Sequence, residues 1–156
     1  MELIASQLRA IADQMNLPST RKLAQSPGVS AVYRLTVRYH ERRAADSVAT
    51  LLRVGKSDPK LEIVYRGLFN HKPVTITFDE ARYEAFTSAL QKAHFDTLSD
   101  QQNIPSHGVD LWLLERAAGT FNKSVIIAPE LTGSIYARLV YTIGLTIPEA
   151  VREVKS

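Results

Sequence analysis

The sequence predicts an α+β fold: an antiparallel sheet made of a four-strand meander and a later hairpin, with helices packed on one face. Three observations carry this. Residues 29–40, VSAVYRLTVRYH, alternate with period two, the pattern of a strand with one buried and one wetter face. Three further short strand-like runs follow it across short connections, which favours antiparallel neighbours. Segments with apolar residues three and four apart precede, interrupt and follow these runs. The order reads helix, four strands, helix, two strands, helix, helix. The expectation is one domain over residues 1–156, in which the helix over 2–16 can stand as a peripheral arm.

The N-terminal helix over 2–16 rests on Ile4, Leu8, Ile11 and Met15, spaced to share one face. Asn16 and Pro18 end it. Ser19 to Gln25 predicts one more turn, capped by Ser19 or Thr20, before Ser26-Pro27-Gly28 breaks the chain. In the first strand Tyr33, Leu35, Val37 and Tyr39 face one side, and Arg34, Thr36, Arg38 and His40 the other. A second strand over 48–55 ends at Gly55, and Lys56-Ser57-Asp58-Pro59 supplies a turn. Leu61, Ile63 and Tyr65 mark a third strand, and Val74, Ile76 and Phe78 a fourth.

Asp79 is the expected N-cap of the middle helix, with Phe78 and Tyr83 as its hydrophobic staple and Thr77 with Glu80 as a competing capping box. Tyr83, Phe86, Leu90 and Ala93 form its apolar stripe, and its end is expected near Leu98. Ser99 to Gly108 is polar and predicts a mobile loop. Residues 110–117 and 122–128 predict a hairpin turning at Gly119. A helix over 134–144, capped by Ser134, is expected to stop at Gly144. Thr146 and Glu149 then fit a capping box for a short last helix.

Composition narrows the chemistry. The 156 residues hold no cysteine, which excludes a disulfide framework, thiolate metal ligands and a cysteine nucleophile in this chain. No apolar run approaches the roughly 18 residues of a membrane span, and the N-terminus lacks the basic region of a signal peptide. The expected setting is cytoplasmic, with no membrane partner. Residues 1–78 carry 12 Lys and Arg against 6 Asp and Glu, and residues 79–156 carry 7 against 10. The basic half suits either a solvated sheet face or an anionic partner.

Short motifs are absent. No HExxH or spaced histidine pair indicates a metal, no GxSxG or SxxK a nucleophile, and no GxxxxGK[ST] or GxGxxG a nucleotide. The expectation is therefore no metal and no cofactor. His71, His107 and Asp110 are the candidates for an enzyme without a motif, with His107 and Asp110 the best local pair.

Two binding readings remain. Arg34 and Arg38 share the outer side of the first strand, and Arg53 and Arg66 on neighbouring strands can extend them into a stripe that tracks phosphates. Against it, Tyr33, Tyr39 and Tyr65 fall on the apolar side, where they cannot stack bases. The second reading starts from the hairpin. Leu111 and Leu113 face one way, Trp112 and Leu114 the other, and Ile126 opposes Val125 and Ile127, so both faces are apolar. One face needs cover from a terminal helix or a second subunit. This predicts a non-enzymatic protein-interaction module, an adaptor, regulator or chaperone-like homodimer, using Trp112, Leu114 and Ile126. Nucleic-acid binding through the arginines is its alternative.

The order of elements is similar to that of the type III secretion chaperones. Those place a helix, three strands, a helix, two strands and a final helix in one small chain, and they dimerise to bind partner polypeptides. The resemblance implies that setting here and assigns no residue. The chain departs from it in having four strands before the middle helix and in its basic first half.

Overall fold

The computed structural model describes residues 2–155. Of the expected domain, Met1 and Ser156 lie outside the described residues, as does the side chain of Ser134, the expected cap. One six-stranded antiparallel sheet organises the chain: β1 (Val29–Arg38), β2 (Ser47–Val54), β3 (Lys60–Tyr65), β4 (Val74–Thr77), β5 (Leu111–Ala118) and β6 (Phe121–Ile127). Its order is β4-β3-β2-β1-β5-β6. The meander runs outward from β1 to the β4 edge, and the hairpin joins β1 from the other side. The α+β class and the antiparallel sheet are those the sequence predicts.

Four helices complete it: α1 (Glu2–Gln14), α2 (Thr20–Ala24), α3 (Glu80–Lys92) and α4 (Ser134–Thr146). They cover both faces, not one. Tyr33, Leu35 and Val37 of β1, with Leu51, Trp112 and Leu114, pack under Phe86 and Leu90 of α3 and Leu139 and Ile143 of α4. Leu8, Ile11 and Met15, the stripe read from the sequence, instead pack on Val48, Leu111, Leu113 and Ile126 on the opposite face. Each fully buried Leu or Ile contributes about 1.5–3 kcal/mol. The N-terminal helix is thus a cover for the sheet rather than an arm. The physical reason is the hairpin, whose second apolar face has to be shielded from water.

Local chemistry sets several boundaries. Ser19 caps α2 by accepting from the Lys22 amide, and Asp79 caps α3 by accepting from the Arg82 amide at 2.7 Å. The end of α3 falls earlier than expected, because His94 adopts a left-handed backbone at φ 53° and only a 3-10 turn follows. The last long helix passes through Gly144 to Thr146. The Thr146 hydroxyl donates to the Thr142 carbonyl at 2.8 Å instead of capping a new helix, and residues 148–151 form a 3-10 turn.

The segment after Ser99 is anchored at its start. Asp100 accepts the Ile126 amide at 2.8 Å, and Gln101, 7% exposed, accepts the Ala128 amide at 2.9 Å and donates to the Leu131 carbonyl at 3.0 Å. Among the described residues, no helix is long and apolar enough to cross a membrane.

Candidate functional site: a groove over β2 and β3

The helices do not cover the second face evenly. α1 lies over β1 and the hairpin strands, and α2 over β1 and β5. Val48 of β2 and Val64 of β3 are still buried under α1, but beyond them, toward Val54, Lys60 and Glu62, the sheet is open. Leu17 and Pro18 of the α1–α2 connection, Leu23 of α2, and Leu52, Val54 and Val64 of the sheet enclose a groove of about 350 Å³. That lies within the range of small-ligand sites. Ser57, Asp58, Lys60 and Glu62 form polar parts of its lining. Lys60 and Glu62 are exposed and alternate with the buried Leu61 and Ile63, as strand periodicity requires.

Arg34 lies in the lining and is only 4% exposed. Its Nε donates to Thr50 Oγ1 at 3.0 Å and its Nη1 to the Pro18 carbonyl at 2.8 Å. Glu115 stands opposite Arg34 in the β1–β5 register and is the leading charge acting on it, while its carboxylate also pairs with Arg9 at 3.5 Å. Burial pushes the Arg34 pKa down, against the smaller opposing pull of Glu115 and Asp13. Burial likewise pushes the Glu115 carboxyl up, offset in part by Arg34 and Arg9.

The four arginines do not form one exposed stripe. Arg34 and Arg38 share a face, as read, yet Arg34 is buried beneath the α1–α2 connection. Arg53 sits opposite Ala31 and alternates with Ala49 and Leu51, which puts it on the α3 face. There it pairs with Glu80 and lies 4.6 Å over the Tyr83 ring. Arg66 pairs with Asp46 at 3.3 Å at the end of β3. Parity along β2 sets Arg53 with Ala49 and Leu51 and apart from Arg34 and Thr50.

The hairpin residues are also placed differently from their expected use. Trp112 is 7% exposed, and Leu114 and Ile126 are each 1% exposed. Trp112 and Leu114 belong to the core under α3 and α4, and Ile126 to the core under α1. Of the two covers the sequence allowed, the chain's own terminal helix supplies the second one.

A polar cluster lies at the junction of β1 and β5. Ligand atoms of His40, Asp110 and Glu130 lie within 4.8 Å of one another. Asp110 accepts the His40 amide at 2.9 Å, and Arg43 bridges Asp110 at 2.6 Å and Glu153 at 2.7 Å. Arg43 is held above its ordinary pKa by its hydrogen bonds to Glu153 and Asp110. The Tyr39 hydroxyl is pushed up to about 12, first by burial and then by Glu153 and Asp110. Arg43 already pairs with Asp110 and Glu153, which ties the turn after β1 to the start of β5 and to the C-terminal segment. His107, the expected partner of Asp110, is exposed outside this cluster, and His71 accepts the Gly67 amide at 2.8 Å. His40 was not singled out because it lies 70 residues from Asp110 and meets it only through β1–β5 pairing.

No family model matches the chain, and no curated protein matches it.

Proposed function

We propose that this chain is a non-catalytic protein-interaction module that holds an apolar stretch of a partner polypeptide in the groove over β2 and β3. The observation that carries the reading is an apolar-walled groove on a sheet whose central apolar surface is covered by the chain's own helices. Such a concave site with a few convergent polar groups is the default binding site of a fold. The site moves from the hairpin to the groove because Trp112, Leu114 and Ile126 are spent on the core. The histidines all lie away from the groove lining, which favours holding over chemistry. The nucleic-acid reading lacks its stripe, with Arg34 buried and Arg53 on the other face.

The test is titration with the apolar anionic dye anilinonaphthalene sulfonate. The folded chain is expected to bind one dye molecule, and Leu52→Asp is expected to abolish binding while unfolding stays cooperative. Dye binding untouched by Leu52→Asp contradicts the reading, as does the absence of binding.

A further inference from the structure

We propose that His40, Asp110 and Glu130 form a binding site for one divalent metal ion of the zinc type, with three protein ligands and one open position. The site follows the C-terminal end of β1, whereas Val54 of the groove pairs with its N-terminal end. It stands independently of the groove. Three observations support it.

First, the fold brings three ligand side chains to one point. His40 opens the turn after β1, Asp110 precedes β5, and Glu130 lies in the 3-10 turn after β6. The three strands are neighbours in the sheet, so these ends lie side by side. One ligand atom from each residue lies within 4.8 Å of the others, and His40 Nε2 stands 3.9 Å from Asp110 Oδ1. Bonds of about 2.0–2.2 Å to a shared ion place two ligand atoms no more than about 4.3 Å apart. A small turn of the exposed Glu130 side chain closes the set.

Second, the imidazole is unspent. Its Nδ1 is buried without a hydrogen-bond partner among the described residues, and its Nε2 is too far from Asp110 to share a proton with it. A cation between Nε2 and Oδ1 fills that gap. Asp110 is oriented for it beforehand: Arg43 holds Oδ2 at 2.6 Å and the His40 amide donates to Oδ1 at 2.9 Å. The contact from Arg43 Nη1 to Oδ1, at 3.5 Å, is too long to take the second lone pair of that oxygen. Third, negative charge is left over. Arg43 is one cation shared by Asp110 and Glu153, an excess of one. Glu130 adds another, and its Oε1 accepts only the Asp110 amide, at 3.4 Å. A divalent ion matches that excess. One imidazole with two carboxylates suits zinc, whereas magnesium and calcium take oxygen ligands. No spacing in the sequence announces the site, because its ligands meet only through the sheet.

The experiment titrates the full, untagged chain with zinc chloride by calorimetry and with cobalt(II) as a spectroscopic probe. The chain is expected to bind one zinc ion, and saturating zinc is expected to raise its unfolding midpoint. His40→Ala and Glu130→Gln change side chains in contact with water, so both variants are expected to fold. Each is expected to weaken zinc binding by more than about tenfold, beyond the least effect of losing an outer-shell partner. Each is also expected to remove the visible absorption of bound cobalt. His107→Ala, at an exposed histidine outside the cluster, is expected to change neither. Magnesium in about hundredfold excess is expected not to displace the zinc. Absence of binding at one ion per chain overturns the site. Equal zinc affinity in the unaltered chain, His40→Ala and Glu130→Gln overturns it as well, since the ion then sits elsewhere. Displacement by magnesium overturns the zinc-type assignment. The titration of the unaltered chain needs no variant, so the proposal can fail even where a variant does not fold.

Discussion

Leu51 and Leu52 are neighbours on β2 and meet opposite environments. Leu51, 2% exposed, joins the core beneath α3 and α4 together with Tyr33 and Phe86, whose rings meet edge-on at 5.3 Å. Leu52 is half-buried and lines the groove beside a buried arginine. The α3–α4 face is sealed by thirteen-residue helices and a near-continuous aromatic and aliphatic layer. The α1–α2 face is sealed over β1, the hairpin, Val48 and Val64, is open toward Lys60 and Glu62, and carries Arg34 and Glu115 within it. A chain that covers one face fully and the other in part has stability concentrated on the first and surface available for recognition on the second.

The strongest way to break this comparison is the leucine pair itself. Leu51→Ala removes a sealed side chain and is expected to cost about 2–5 kcal/mol. Leu52→Ala removes a side chain already in contact with water and is expected to cost no more than about 1 kcal/mol. Urea unfolding of both variants checks it, and equal losses erase the distinction between the faces.

The two N-caps sharpen it at smaller scale. Asp79→Ala and Ser19→Ala are each expected to cost about 1 kcal/mol. Their consequences differ in place. Asp79 starts a helix sealed into the core, so its loss lowers global stability. Ser19 starts a five-residue helix whose Leu23 walls the groove. Its loss is expected to speed amide exchange in α2 and weaken dye binding, with a smaller change in the unfolding midpoint. Hydrogen exchange on both variants separates the two effects.

The smallest expected effects are in pH dependence, and the faces respond with opposite sign. Near the α3–α4 face, burial pushes Glu149 up, but the Arg82 hydrogen bond at 2.6 Å, its backbone hydrogen bond and the Arg82 and Arg152 charges together hold it below its ordinary value. Its contribution is present above the ordinary carboxylate pKa of about 4.3 and is lost as pH falls through the lowered value. Glu115 is held above its ordinary value, so its contribution is present at acid pH and is lost as pH rises through the raised value. Glu149→Gln is therefore expected to shrink the loss of stability in acid, by less than about 1 kcal/mol for a pair this near water. Glu115→Gln is expected to steepen the rise of stability with pH, because an opposing slope is removed. Unfolding midpoints across the acid range test both.

Periodicity made the strands legible. Apolar alternation placed β1 to within two residues, and the spacing of Leu8, Ile11 and Met15 placed the buried stripe of α1. It also showed that the hairpin is apolar on both sides. It could not show which element covers the second side, since a helix of the same chain and a helix of another copy present the same pattern. Charge was harder to read. Arg34 follows the polar parity of its strand, and a buried arginine in a groove looks like a solvated one until Pro18 and Thr50 are brought beside it. Arg53 shares the parity of Ala49 and Leu51 in β2, so its face was legible from alternation with those two residues. His40 and Asp110 meet only by strand pairing.

The central claim is that the partner segment sits over β2 and β3 beside Arg34. An amide NMR titration of the whole chain with anilinonaphthalene sulfonate tests it most directly. The predicted result is a contiguous set of shifted amides at Leu17, Leu23, Thr50, Leu52, Lys60 and Glu62, with the hairpin around Trp112 unmoved. Shifts centred on the hairpin or on α4, with the groove silent, contradict it.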